Sequence, residues 1–538
     1  MIEADRPSTG AGLGTRDRAV LVLLLIGAAI VRAIAWSRTA VLFNDGPIFL
    51  ALAEALRAGR TADVLAHPQH PLYPALVAVV EALGVAPEPA AITVSIAGGL
   101  LAVAAVHRLA FACFGPAIAA ASGAIVALHP WAVDFSADVM SDGLYGGLFL
   151  AGLAALVELL ERPSAVRAAA FGLIAGLAYW TRPEGLVLVV AAVVLFALRI
   201  ATRPAERRAL VRIAVVFLAL VALFVGVLRA SEGDGGDAFS PTAKKSVSVL
   251  LEGGPSPSAI EAERSRRRAA RRDPDALPLP EGSIRIDGGE VARPPRTLLG
   301  GVEAIARVAA TTLSAARHEV VVFALLGIVL VARGPGRGPG RTFEQAVLVV
   351  LAVQSAVLVL LVWGAGYVSR RHALAAGLAL APLAALGWQG VLAKLDPNVV
   401  RRFGVRPGPA GAALLLVVVL LVSWVPRDLR ARRLDRVAER RAAEWLAARS
   451  DGVAPVAAQK RRTAYYAGAV FVPIPDGRAG DLERQLRGRH AAYLIIDQAR
   501  LGDHLGLAEG VGRWLVPLHV ERSPDQEVVV LALTPPAG

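Results

Sequence analysis

Four short segments put ionisable side chains where an otherwise apolar chain breaks. Asp45 lies in AVLFNDGPIFLALAEALRAGR, Asp142 in SADVMSDGLYGGLFL, Arg182 and Glu184 in YWTRPEG, and Arg370, Arg371 and His372 in GYVSRRHAL. A carboxylate within hydrogen-bond reach of an alcohol can take its proton as a general base, which is the chemistry open to Asp45 and Asp142. Guanidinium groups present a planar fork of donors to phosphate oxygens, which suits Arg370, Arg371 and Arg182 to a phosphate anion. Each residue also has a plainer reading. Asp45 or Asn44 would cap the helix that follows, Asp142 with Ser141 would cap a span, and Arg182 would be a snorkelling anchor at a membrane boundary.

Weaker candidates line up beside these. AHPQHPLYPAL holds His67 and His70 three residues apart, then Tyr73. Two imidazoles at that spacing could share a metal on one helical face, but Pro68 and Pro71 oppose regular helix there. Contact of His67, His70 or Tyr73 with a sugar or phosphate stays open, as it does for Glu184 and His372. Asp134, Asp138 and Asp142 stand at intervals of four, which would place all three on one helical face. Asp134 and Asp138 read there as solvated. The single cysteine, Cys113, rules out disulfides and cysteine-based metal sites within one chain. No cofactor follows from these residues and no metal ligands are assigned, with a divalent cation left open.

The elements that must position these groups are membrane spans. Fifty-five per cent of the 538 residues are hydrophobic, and apolar runs approaching the roughly 20 residues that cross a bilayer recur along most of the chain. Eleven spans are predicted near residues 19–36, 90–111, 116–131, 141–160, 166–180, 185–200, 210–229, 318–333, 343–363, 372–390 and 409–425. Pro71 to Gly84 is apolar but short, and reads as an interfacial or re-entrant helix. The net charge of +13 sits largely in short loops such as Arg199 to Arg212 and Lys394 to Arg406, where it fixes orientation toward the cytoplasm. No nucleic-acid-binding motif accompanies it.

The predicted organisation is a cytoplasmic tail at 1–18, a transmembrane domain at 19–426 and a soluble α/β domain at 427–538. Within the transmembrane part, 37–89 forms a first extracytoplasmic loop with short surface helices. Residues 230–317 form a long, partly disordered extracytoplasmic loop. In the tail, Arg427 to Ser450 reads as a basic amphipathic helix, and VAPVAAQ, AAYLIID, WLVPLHVERS and QEVVVLAL read as strands. The parity of the basic loops puts the N-terminus in the cytoplasm and the tail outside, on the face that also receives Asp45, Asp142 and the arginine pair.

With these segments in order, the chain resembles the GT-C class of membrane glycosyltransferases. The branch is that of the protein mannosyltransferases, the lipid A aminoarabinose transferases and the rhizobial lipopolysaccharide glycosyltransferases. FNDGPIFLALAEALRAG, HPQHPLYPAL, SADVMSDGLYGGLFL, GLIAGLAYWTRPEGL and SRRHALAAGLALAPLAAL carry the resemblance, with AYYAG (Ala464 to Gly468) in the tail. It implies an all-α polytopic bundle of about 11 helices with a small extracytoplasmic α/β domain. It also implies an inverting transferase in a bacterial inner membrane that moves a sugar from a polyprenyl-phosphate donor to an envelope acceptor, whether glycolipid, lipopolysaccharide, polysaccharide or protein. Asp45 would then be the catalytic base and Asp142 a second acid, with Arg370 or Arg371 on the lipid phosphate. Departures are visible: Asp45 is followed by Gly46 where many relatives have a second acid, and Gln69 and His70 stand where the aminoarabinose branch has an acid before proline. The competing reading from another class is a secondary transporter or lipid flippase, for which many spans and buried charges are also expected.

Overall fold

A computed structural model describes residues 14–230, 298–334, 338–395, 408–450, 454–475 and 479–534, with residue 397 and short stretches at 285–286 and 289–290. Of the described residues, those at 14–35, 53–230 and 298–429 belong to one compact unit, and those at 36–52 and from 430 onward to another.

The first unit is helical. Its elements are α1 (Thr15–Ser37), α2 (Gly46–Arg57, which runs on from the second unit), α3 (Thr61–Ala66), α4 (Leu72–Ala82), α5 (Pro87–Phe114), α6 (Pro116–Leu128), α7 (Pro130–Ser136), α8 (Asp142–Glu161), α9 (Ala165–Thr181), α10 (Leu186–Thr202) and α11 (Arg207–Ala230). After residue 297 come α12 (Leu298–Ala316), α13 (His318–Arg333), α14 (Pro339–Ala365), α15 (Arg370–Leu378), α16 (Ala381–Leu392), α17 (Pro409–Ser423) and α18 (Val425–Asp428). Proline opens α5, α6, α7, α14 and α17, where its missing N–H costs nothing and its fixed φ suits the first turn.

Among the described residues, seven helices are long and apolar enough to cross a membrane, or up to ten when each bent pair is one span. The bent pairs are α6/α7 at 56°, α12/α13 at 95° and α15/α16 at 57°. The remaining predicted span, near 166–180, is the shorter apolar helix α9. The chain is thus a multi-pass membrane protein, and Pro71 to Gly84 forms the short α4.

Three expectations are corrected. Asp134, Asp138 and Asp142 do not share a helical face, because α7 ends at Ser136 and α8 begins at Asp142. Asp138 is not solvated either: it is buried, and its carboxylate accepts from the Val139 N–H at 2.8 Å, which holds the bend. The end of the predicted loop at 230–317 is a helix, α12, amphipathic enough to pack against α14 and α15. The expected disorder of the rest of that loop falls outside the described residues.

Backbone contact between α5 and α8 depends on glycine. A Cβ on Gly98 would stand 2.3 Å from the Leu144 Cα, and one on Gly147 would stand 2.3 Å from the Gly98 carbonyl oxygen. Small residues let helices approach until their backbones touch, which in a bilayer replaces a hydrophobic driving force between helices.

The second unit carries a five-stranded sheet. Its strands are β1 (Val456–Ala458), β2 (Phe471–Pro473), β3 (Tyr493–Asp497), β4 (Leu515–Ser523) and β5 (Gln526–Leu533), in the order β2-β1-β3-β5-β4. β1 pairs parallel with β2 and β3, while β5 runs antiparallel to β3 and β4. Alternation along β3 sends Leu494 and Ile496 into one core with Leu482, Leu486, Val529 and Leu531. Ile495 enters another with Val528, Val530, Ala442 and Leu446. The predicted basic helix over Arg427 to Ser450 is shorter than expected: within that stretch, after α18 ends at Asp428, the α-helix is α19 (Val437–Ala447), and Arg433 before it adopts a left-handed conformation at φ 55°. β2, three residues ending in proline, carries no alternation that would have announced it.

Residues 36–52 are stitched to this tail. Thr39 bridges to Arg432, with the Ala40 N–H donating to the Arg432 carbonyl at 3.1 Å and the Arg432 N–H to the Arg38 carbonyl at 3.0 Å. Arg433 donates to the Val41 carbonyl at 2.6 Å and Arg440 to the Ala40 carbonyl at 3.0 Å. The Leu42 N–H donates to the Tyr466 hydroxyl at 2.9 Å.

Gly147→Leu should therefore lower the thermal stability of the detergent-purified protein by about 1–3 kcal/mol or more, since overpacking here meets backbone. Gly226→Ala, where a Cβ meets nothing within 4 Å, should leave it unchanged.

Candidate active site

The site grows from the broken ends of three helices of the first unit. Asp142 is the first residue of α8, Arg182 and Glu184 form the turn between α9 and α10, and Arg371 and His372 lie in the first turn of α15. Pro183 opens the turn after Arg182, and Gly185 is required because a Cβ there would meet the Tyr179 backbone nitrogen at 2.3 Å. The loop therefore folds tightly against the end of α9 and aims both of its charges at α8.

Asp142 is the centre. Its side chain is 4% exposed and is held from both sides: Arg182 Nη1 donates to Oδ1 at 2.5 Å and Arg371 Nη2 to Oδ2 at 2.9 Å. Arg371 Nε stands 3.2 Å from both carboxylate oxygens. Arg182 grips Glu184 in a fork, with Nη2 to Oε1 at 2.9 Å and Nε to Oε2 at 3.3 Å. His372 Nε2 approaches Glu184 Oε1 at 3.9 Å, while its Nδ1 is within 3.2 Å of the Ser369 N–H and hydroxyl, closing a capping box at the head of α15. The guanidinium carbon of Arg182 lies 5.6 Å from the centre of the Tyr145 ring. Two carboxylates and two guanidiniums balance, so a group of charges with little access to water is neutral overall, the condition under which such burial is tolerated.

A small cavity opens beside this network, lined among others by Arg32, Ser136, Asp142, Tyr145, Arg371 and Leu378. Arg32, inside α1, is fully buried, with Nε donating to the Ser136 hydroxyl at 2.8 Å and Nη1 to the Ala127 carbonyl at 2.9 Å and the Ala28 carbonyl at 3.2 Å. Gly99 makes room for it, since a Cβ there would stand 2.6 Å from Arg32 Nε. Neither Arg32 nor Tyr145 was singled out from sequence. An arginine within an apolar run is a signal in itself, because ionisable groups inside a span rarely lack a partner.

Within the first unit the other candidates have partners outside this network. Arg370 turns away from Asp142: its Nε donates to the Ser314 hydroxyl at 2.7 Å and its guanidinium lies over Trp131. His67 ends α3 and accepts from the Gln69 N–H at 3.0 Å. His70 meets Tyr179 edge to face, with ring centres 5.1 Å apart. The Tyr73 hydroxyl is buried against the Ala91 carbonyl at 3.0 Å and the Ser95 hydroxyl at 2.8 Å, and so ties α4 to α5. Asp45 stands immediately before α2 in the second unit, where its carbonyl accepts from the Ile48 and Phe49 N–H groups. Among the described residues no group of three or more His, Cys, Asp and Glu could hold a metal ion, and the oxygens of Asp142 are already engaged by guanidinium donors.

Residues 66–228 match the family model described as dolichyl-phosphate-mannose-protein mannosyltransferase. No curated protein is similar in sequence. Among solved structures, the chain is similar to ArnT from Cupriavidus metallidurans bound to undecaprenyl phosphate, at 15% identity and a TM-score of 0.57 over 95% of this chain and 97% of that one. It is similar to the Archaeoglobus fulgidus oligosaccharyltransferase in complex with zinc and sulfate, at 14% identity and a TM-score of 0.59, covering 96% and 73%. It is similar as well to the archaeal oligosaccharyltransferase AglB from Archaeoglobus fulgidus in complex with an inhibitory peptide and a dolichol-phosphate, at 14% identity and a TM-score of 0.55, covering 97% and 74%. The fold is that of the GT-C glycosyltransferases: a bundle of apolar helices followed by a small domain with a sheet.

A shared carboxylate makes its two arginines interdependent. A double-mutant cycle with Asp142→Asn and Arg371→Gln, read by thermal unfolding, should give a coupling of about 1–3 kcal/mol. Additive losses would show that Arg371 is held by something other than Asp142.

Proposed function

We propose that the protein is an inverting glycosyltransferase that moves a sugar from a polyprenyl-phosphate donor to an acceptor hydroxyl of the cell envelope. The carrying observation is the Asp142, Arg182, Glu184 and Arg371 network, set at the helix breaks of a bundle with the GT-C fold. Relatives in fold were solved with undecaprenyl phosphate and with a dolichol-phosphate, which supports a lipid-borne donor for this chain as well.

In the proposed reaction Asp45 takes the proton of the acceptor hydroxyl as its oxygen attacks the anomeric carbon. The bond from that carbon to the phosphate oxygen breaks, and its electron pair leaves with the carrier as polyprenyl phosphate. One displacement inverts the configuration. Arg371 and Arg182 meet the charge developing on the departing phosphate, because fixed guanidinium donors need no reorganisation at that moment. Asp142 holds both arginines in place, and Glu184, with His372 beside it, holds Arg182 from its other edge. The reading places the site on the extracytoplasmic face of a bacterial inner membrane. The acceptor would be a glycolipid, lipopolysaccharide, polysaccharide or protein, and comparison of envelope glycolipids from a deletion strain with wild type would narrow it.

Asp45→Asn should reduce transfer from a polyprenyl-phosphate sugar in proteoliposomes by about 100-fold or more while leaving expression unchanged. Arg371→Gln should reduce it with an intact fold. Full activity in Asp45→Asn would remove that residue from the base role.

A further inference from the structure

One buried charge takes no part in the balanced network. Arg32 is wholly excluded from solvent, and the acceptors it meets are neutral: the Ser136 hydroxyl at Nε, and the Ala127 and Ala28 carbonyls at Nη1. The Ser136 hydroxyl gives its own proton to the Ala132 carbonyl. Nη2, which carries two N–H donors, is buried with no acceptor among the described residues. No carboxylate among them is in salt-bridge contact with Arg32; Asp428 acts on its charge only at longer range and has a further partner of its own. Asp142 cannot be spared, because it already holds Arg182 and Arg371.

An arginine inside apolar helices without an anionic partner leaves both a charge and two donors unsatisfied, and each defect is costly away from water. The cavity beside it is where both can be met. Arg32 lines this space of about 20 Å³ together with Ser136 and Arg371, while Ala102, Phe135 and Leu378 supply apolar wall. Such a volume holds one water-sized group and excludes a phosphate ester or a sugar ring. Water would satisfy the donors but not the charge. A monatomic anion of low charge density satisfies both, since it accepts N–H donors from any direction and sheds its own water at lower cost than a compact anion. Gly99 keeps the guanidinium at this boundary: a Cβ there would meet Arg32 Nε at 2.6 Å and the Ser136 hydroxyl at 2.9 Å, displacing one or the other. We propose that Arg32 and the cavity beside it form a binding site for a single halide ion, chloride under ordinary conditions, which neutralises this arginine within the bundle. Its size excludes the donor's phosphate, so the site stands whether or not the chain transfers sugar.

Thermal unfolding of the full-length protein in detergent tests this across a series that replaces sodium gluconate by sodium chloride or sodium bromide at constant ionic strength. Wild type should gain about 2 °C or more, saturating with either halide, because a ligand held only by the folded state raises the unfolding temperature. Arg32→Gln should lose that gain. Where this variant folds poorly, bromide decides in wild type: crystals grown with sodium bromide should give an anomalous peak in hydrogen-bond contact with Arg32 Nη2. No halide gain in wild type, a gain that persists in Arg32→Gln, or bromide density absent from the Arg32 cavity would each overturn the proposal. No sugar transfer enters either measurement, so failure here would leave the transferase reading untouched.

Discussion

The first unit turns on one carboxylate. Asp142 begins a span, yet its two oxygens belong to arginines from the turn after α9 and from the head of α15, 40 and 229 residues away in sequence. Taking an acid out of water at a helix end is costly, and the cost is met only when both partners arrive with good geometry. The tight turn at Pro183 to Gly185 and the capping box at Ser369 serve that requirement by fixing the two arginines before any ligand is considered. Glu184 completes the balance, so Arg182 is shared without leaving the group charged.

The same requirement explains the glycines. Asp142 can reach its partners only if α8 lies against α5, and the close approach at Gly98, Gly143 and Gly147 brings backbone to backbone there. Arg32 and Ser136 fill the space next to Gly99, which sets a buried polar pair beside a cavity within apolar helices.

Much of this was legible in the sequence, for physical reasons that also mark where reading failed. Spans declare themselves because the bilayer demands long apolar runs, and Asp142, Arg182 and Arg371 stood out as charges at their boundaries. Pairing was not legible, since nothing local says that Arg371 faces Asp142 while Arg370 faces Trp131. Neither was the helix Leu298–Ala316, although the span predicted from 318 begins where Arg317, at φ 69°, breaks the chain. The acids at intervals of four looked helical because periodicity carries no information about a bend. The tail strands β1, β3, β4 and β5 were foreseeable as short apolar runs between polar turns, but the arginines before and within α19 read only as a basic amphipathic helix, and two of them hold the carbonyls of residues 40 and 41.

That last arrangement bears on the order in which the protein comes into being. The strand-like segment at 38–42 leaves the ribosome early, but the groups that satisfy its backbone, at Arg432, Arg433, Arg440 and Tyr466, are made some four hundred residues later. Until then its polar backbone groups have only water or headgroups for company, and contacts of such sequence separation form late. The turn that presents Asp45 is consequently among the last parts of the chain to acquire its shape. A nascent chain with every helix inserted would still lack it, so biogenesis itself withholds this segment until synthesis is nearly complete.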